Sequence, residues 1–267
     1  MLIPSLLLVL QTASSGGVTL GTAQLTDQRS EQALSAVWIL QTAPWLSFSA
    51  TPSFVHVKDL VSGREVTSSG FGDLPVSAAL VKTFAGPRAP ALAAAVTFVL
   101  PTGNAACGLG SGQSSAGLDL GISTSPSAKL HVSADASRSI TNVSSQSSLS
   151  APKATSLLFG GGYDVSPVWR ADASLGIDVG QTDSTQALSR MVGGGLTRRI
   201  GTGTFALTLD GSVGLTTASP KWVVSLGFGN AFAGTSPVGL NAPLRHLKST
   251  FTGGVSRSGG SGKIGCR

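Results

Sequence analysis

The stretch Thr204–Leu215, TFALTLDGSVGL, decides the fold. Every second residue is apolar or Gly: Phe205, Leu207, Leu209, Gly211, Val213 and Leu215. Between them stand Thr204, Ala206, Thr208, Asp210, Ser212 and Gly214. A β-strand points successive side chains to opposite faces, so this segment has one greasy face and one small, polar face. It is also as long as a tilted strand that crosses a bilayer, about ten residues.

The rest of the chain repeats the pattern. We read about twelve strands, near 17–25, 33–40, 45–57, 74–85, 91–100, 116–123, 129–137, 155–164, 169–179, 188–199, 204–216 and 221–232. Leu118, Leu120 and Ile122 oppose Asp119, Gly121 and Ser123. Leu130, Val132, Ala134 and Ala136 oppose His131, Ser133, Asp135 and Ser137. Ala173, Leu175, Ile177 and Val179 oppose Asp172, Ser174, Gly176 and Asp178. The last apolar row is Trp222, Val224, Leu226, Phe228 and Phe232. With Phe205 it supplies aromatics for the two membrane interfaces.

Composition agrees. Charged residues make up 11% of the 267 residues, against roughly 25% in ordinary soluble domains. Mean hydropathy is +0.28, yet no apolar run approaches the roughly twenty residues of a spanning helix. An alternating barrel reconciles the two, because each strand gives lipid only half its residues. The net charge is +6, but no basic stripe with interleaved aromatics appears, so no nucleic-acid partner is expected.

Connections alternate in length. Short ones fall near 42–44, 86–88, 125–127, 166–167 and 201–203; longer ones near 26–32, 58–73, 101–115, 138–154 and 180–187, with 217–220 as a short exception. This predicts an antiparallel up-and-down transmembrane β-barrel of about 12 strands, with short periplasmic turns and longer outer loops. Three residues disagree with their rows: Pro52 inside the third strand, Lys82 in register with Leu80 and Phe84, and Asn230 in the last strand. One or two bulges would repair these.

The ends differ from the middle. Leu2–Leu10 is an apolar run that reads as part of a truncated signal peptide over 1–15. The barrel is expected over 16–232. Residues 233–267 are rich in Gly, Ser and Pro and carry Arg245, Lys248, Arg257, Lys263 and Arg267, which predicts a flexible basic periplasmic tail. The two cysteines, Cys107 and Cys266, lack the neighbours of a metal site. A disulfide needs an oxidising compartment, and this topology sets the two on opposite sides of the membrane, which argues against pairing.

Chemical motifs are sparse. Gly259–Lys263 looks phosphate-friendly, but Ile264 follows the Lys and no strand-to-helix context surrounds it. There is no G-x-S-x-G elbow, and there are three His in all, so no catalytic residues, metal or cofactor are expected. The inward set is Asp119, His131, Asp135, Asp172, Asp178 and Asp210, the candidate lumen lining. His131 and Asp135 share a face and could handle a proton, although a structural hydrogen-bond network is the stronger reading. Arg170, Arg190 and Arg199 could pair with the carboxylates.

Four fragments in order, SGFGDLPVSAALVKTF (69–84), FVLPTGN (98–104), GLGSGQSSAGLDLGIS (108–123) and LDGSVGLTTASPKWVVSLGF (209–228), resemble a family of bacterial outer-membrane proteins assigned to transport and to the meta-cleavage pathway of phenol degradation. The similarity spans about 45–232. Departures are Cys107 in the 101–115 loop and the tail beyond Phe232. The resemblance implies a Gram-negative outer-membrane barrel that takes up small, often apolar or aromatic, compounds, and brings no catalytic residues to transfer.

The leading expectation is therefore a porin-like passive transporter in the bacterial outer membrane, with loops 58–73 and 101–115 as candidate gates. Its partners would be lipid, a small solute and the barrel-assembly machinery. A non-transporting barrel whose loops bind partners is the alternative. An outer-membrane enzyme and a soluble lipocalin-like or sandwich protein are weaker ones.

Overall fold

Fourteen strand segments of the computed structural model pair antiparallel into one closed sheet; the structure describes residues 13–86, 88, 90–142, 155–179 and 188–233. In chain order they are β1 (Ala13–Gln24), β2 (Arg29–Ala43), β3 (Leu46–Ala50), β4 (Ser53–Val61), β5 (Arg64–Phe71), β6 (Leu74–Thr83), β7 (Ala91–Leu100), β8 (Ser115–Thr124), β9 (Leu130–Asn142), β10 (Thr155–Asp164), β11 (Trp169–Val179), β12 (Arg190–Ile200), β13 (Phe205–Gly214) and β14 (Trp222–Gly229). β1 pairs with both β2 and β14, which shuts the cylinder. Closure leaves no open sheet edge facing the lipid that surrounds these walls.

The staves number twelve, as expected, because β3 with β4 and β5 with β6 are single staves with a break. One half of β2 pairs with β4 and the other with β3. Pro52 sits in the first break, where its missing N–H costs nothing, and its carbonyl accepts Ala36 N–H at 3.0 Å. Thr51 N–H reaches Pro75 O across the gap at 3.1 Å. The second break falls at Gly72–Asp73.

The three discordant residues are not repaired by bulges. Register shifts occur elsewhere, at Gln41/Ala43 and Ala116/Gly117. Lys82 does lie on the outward face, but one residue from the inner end of β6, where its amine reaches the interface. Asn230 ends the last stave instead of interrupting it. Its Oδ1 accepts Gly16 N–H at 2.6 Å, and Asn230–Phe232 turns as a short 3-10 segment.

Two expected loops are also revised. Residues 58–73 form a hairpin extension of β4 and β5 around a two-residue turn, Ser62 (φ 50°) and Gly63 (φ 76°). Two successive positive φ values are the geometry of the tight hairpin turn whose twist matches that of the strands. The 26–32 connection shrinks to 25–28, because β2 begins at Arg29. β1 begins at Ala13, inside the expected leader. The remainder of that leader (1–12), most of the 138–154 loop, the 180–187 loop and the tail from 234 lie outside the described residues.

Outward rows are apolar and unprotected by protein. Leu20 is 58% exposed, Leu120 52% and Leu209 50%. A continuous apolar belt of this kind is far larger than the patches that soluble monomers tolerate. It matches a barrel bathed in hydrocarbon. Trp222 stands outward at the outer end of β14; Phe205 and Phe228 stand outward at the inner end and stack with centroids 5.8 Å apart. Phe232, the fourth expected interface aromatic, is a correction. The turn at Asn230 swings it inside, where it is 8% exposed and packs against Val37 and Ala206.

Candidate functional site

Strand parity gives the inward face two unlike sectors. On β1, β2, β4 and β14 the inward positions mix Ala23, Ala33, Val55, Val57 and Val223 with Thr19, Glu31, Ser35, Ser53 and Ser225, all buried. On β8 to β13 they carry the carboxylates. Hydrogen-bonded register aligns Asp119, Ser137, Ser156 and Asp178 in one lateral row. Nearer the inner rim a second row runs His131, Gly162, Asp172, Gly195, Asp210.

Each expected lumen residue thus lies on the inward face, and the structure gives it a setting. Asp119 accepts a hydrogen bond from Thr97 Oγ1 at 3.4 Å. Asp178 accepts one from Ser156 Oγ. Asp135 faces Gly121, and Asp210 faces Gly195; a Cβ on either glycine would run into the carboxylate. The glycines make room for acids in a narrow bore, a pairing that sequence reading did not extract. Asp172 Oδ1 and Asp210 Oδ2 are buried with no hydrogen-bond partner among the described residues.

His131 does not work with Asp135. Its Nδ1 meets Ser125 Oγ at 2.8 Å, and its Nε2 meets Asp164 Oδ2 at 3.0 Å. Asp164, which sequence analysis passed over, is the hub of the inner rim. Arg170 Nε and Nη2 donate to its two oxygens at 2.9 and 3.1 Å, and Arg199 Nη2 donates at 3.2 Å. Arg199 Nη1 also donates to Pro167 O at 3.0 Å. Two of the three expected arginines are therefore inward partners, but of Asp164. The third, Arg190, stands exposed on the outward face at the outer end of β12. The only available signal for Asp164 was its inward parity at the end of a Gly-rich row.

The outer mouth is narrowed by residues 101–114. Asp73 holds this connection: its carboxylate accepts Gly103 N–H at 3.0 Å, Ser111 N–H at 2.7 Å and Ser111 Oγ–H at 2.8 Å. Thr102 Oγ1 donates to Gly72 O at 2.8 Å. Arg29 ties it from the far side, donating to Gly108 O at 2.9 Å while pairing with Glu31 and Asp59. So held, Leu109 packs into the apolar wall with Ala23, Leu25, Ala33, Val55, Val57 and Val223. The motifs SGFGD and PTGN, separate in sequence, are thus two halves of one clasp. Asn104 caps the 3-10 turn Ala105–Cys107, accepting Ala106 N–H at 3.1 Å.

In the outer half of the barrel a cavity of about 510 Å³ opens against the acidic wall, lined by Thr97, Asp119, Ser137, Ser156, Asp178 and Met191 among others. Cys107 corrects the expectation of unpaired thiols: it is disulfide-bonded. Cys266, the other cysteine of the chain, lies outside the described residues.

Comparison with known proteins places this geometry. No curated protein matches the sequence. Among solved structures, the COG4313 outer membrane channel from Pseudomonas putida F1 superposes with a TM-score of 0.60 at 18% identity, over 86% of this chain and 99% of that one. The KdgM porin matches with a TM-score of 0.54 at 9% identity, over 81% and 98%. The NanC porin matches with a TM-score of 0.54 at 9% identity, over 80% and 97%. These likenesses are of fold, that of bacterial outer-membrane channels. A family model described as "Putative MetA-pathway of phenol degradation" matches residues 10–232, nearly the whole barrel, and the chain belongs to that family.

Proposed function

We propose that this protein lets small molecules with apolar or aromatic parts diffuse across the bacterial outer membrane, without chemical change. The observation that carries the reading is the mixed lining of the lumen cavity. Around about 510 Å³, Leu25, Val99 and Met191 stand beside Thr97, Asp119, Ser137, Ser156 and Asp178. A solute with an oily ring and a polar edge can wet both kinds of lining at once, which a uniformly polar bore would not favour. The description of the family and the channel named in the Pseudomonas putida relative support this reading.

Lipid is the surrounding partner, and assembly machinery for barrels is the one expected to insert it. The clasp at 101–114 and the Asp164 cluster narrow the two ends, which favours slow or gated passage over a wide pore. A wholly non-transporting barrel is the second reading, favoured by those same constrictions.

Flux through proteoliposomes separates the two. A neutral phenyl glycoside, too polar to cross lipid quickly, is expected to enter faster than in protein-free vesicles, in the oxidised or the dithiol-reduced preparation. Entry at the lipid rate in both preparations sinks the transport reading. The charge pattern adds a second expectation. Carboxylates that line a low-dielectric passage concentrate cations, so bilayer current is expected to favour small cations over anions by about twofold or more. In the Asp119→Asn, Asp178→Asn double variant that preference is expected to fall towards unity. An unchanged reversal potential in the variant places both residues outside the path.

A further inference from the structure

We infer that the inner rim binds anionic phospholipid. Lys82, Arg88, Lys129 and Arg198 form two seats on the outside of the barrel for the phosphate of an acidic headgroup, that of a phosphatidylglycerol, in the leaflet on the periplasmic side.

The two ends of the barrel differ in charge. At the outer end cations and anions are mixed: Lys58 pairs with Glu65, Lys221 with Asp27, and Arg29 with Glu31 and Asp59. At the inner end Lys82, Arg88, Lys129 and Arg198 are exposed, and no carboxylate pairs with any of them among the described residues. Asp164, the one acid at that rim among those residues, faces the bore and is engaged by Arg170, Arg199 and His131. Exposed cations without counter-ions attract an anionic surface.

The first seat lies on the arc from β6 to β9, about 15 Å wide at the usual strand spacing. Lys82 rises from the same outward face as Leu80, which is 50% exposed. Beside it stands Trp45, exposed, whose carbonyl accepts Val81 N–H at 2.9 Å. Arg88 and Lys129 lie on the two connections next along the rim. These are pinned together, because Arg88 O accepts Ser125 N–H at 2.9 Å and Thr124 Oγ1–H at 2.9 Å. Three cations therefore converge below one sector of the apolar belt.

The second seat is on β10 to β12. The Arg198 guanidinium lies over the Trp169 ring, 5.5 Å from its centroid, and stays exposed. Stacking on an indole face leaves the N–H edge of a guanidinium free, and that edge matches the geometry of a phosphate. Tyr163 stands outward nearby, 48% exposed.

The placing of these groups favours a lipid over a soluble acidic protein. Lys82 and Arg198 project from a wall whose neighbouring positions, Leu80 and Leu196, face hydrocarbon. Trp and Tyr on the same face mark headgroup depth. A phosphate at that depth gives each cation a partner where its stem leaves the hydrocarbon.

The test uses the folded full-length protein with Trp45 and Trp169 as its only tryptophans (Trp38→Phe, Trp222→Phe), in phosphatidylcholine vesicles doped with brominated lipid. Bromine quenches a tryptophan that it touches. Brominated phosphatidylglycerol is expected to quench about threefold or more strongly than brominated phosphatidylcholine at equal mole fraction. The ratio is expected to fall towards one at about 0.5 M salt, which screens exposed charges. It is expected to be near one in the Lys82→Gln, Arg88→Gln, Lys129→Gln, Arg198→Gln variant, and unchanged in Arg190→Gln, which removes an outward arginine at the other end. No preference in the parent, or one that survives in the fourfold variant, overturns the inference. Displacement of the brominated lipid by soluble polyglutamate would assign these cations to an acidic protein and overturns it as well.

Discussion

Replacing Asp164 with Ala is expected to lower the unfolding free energy of the barrel by about 3–5 kcal/mol, the range for breaking a buried ion pair from one side. The size follows from what is left behind. Asp164 accepts from Arg170 through both oxygens, from Arg199 and from His131. Arg170 and Arg199 are 6% and 18% exposed at their side chains, so the Arg170 guanidinium above all has little bulk water to turn to for compensation. Without the carboxylate, two positive groups face each other at the inner rim of a narrow bore. Asn at the same position keeps one acceptor but no charge, and is expected to fall between. Urea unfolding in lipid vesicles, followed by tryptophan fluorescence, reads the difference. Arg190→Ala is the control: an outward, exposed arginine is expected to change stability by no more than about 0.5 kcal/mol. A loss below about 1 kcal/mol for Asp164→Ala would show that water already replaces this network.

The wall of this barrel is legible in the sequence because its cause is local. A strand with lipid on one side and a polar bore on the other must alternate, and the alternation survives any uncertainty in register. Hence β7, β10 and β11 end where the pattern ends, at Leu100, Asp164 and Val179. Even the irregular Pro52 announces itself, because a residue with no N–H has to fall where the ladder is broken. Phe232 misled the reading for the same reason. It sits at the spacing of an outward row, four residues past Phe228, but the row had already ended. Asn230 bonds to Gly16 and turns the chain inside, and that bond spans 214 residues of sequence.

The candidate site is less legible because it depends on contacts between connections. Asp73 looked like a turn-former at the start of a strand, which it also is. Its partners, Gly103 and Ser111, lie 30 and 38 residues away on a connection that periodicity cannot place. The inward acids were found by parity, but their glycine counterparts, Gly121 and Gly195, come from the register of neighbouring strands. Cys107 was judged from sidedness alone.

In a Cys107→Ser background, where no disulfide can hold the clasp independently, Asp73→Ala is expected to release residues 101–114 from the mouth. Three hydrogen bonds end on this carboxylate, and bonds to charged acceptors contribute about 1.5–3 kcal/mol each. What remains is one donation from Arg29 to Gly108 O, one from Thr102 to Gly72 O, and the packing of Leu109. The amides of Gly103 and Ser111 lose their acceptor outright, so their hydrogen exchange is expected to quicken by about 100-fold or more. Leu109 then leaves the apolar wall for part of the time, and the bore widens at its outer end. Phenyl glycoside flux is expected to rise with the exchange rate, while urea stability of the staves stays near that of the parent. Asp73→Asn, with one carbonyl acceptor in place of two, is expected to give a smaller increase of the same sign. Faster exchange with unchanged flux would place the rate-limiting constriction at Asp164 instead. Unchanged exchange would mean that Asp73 does not hold the clasp.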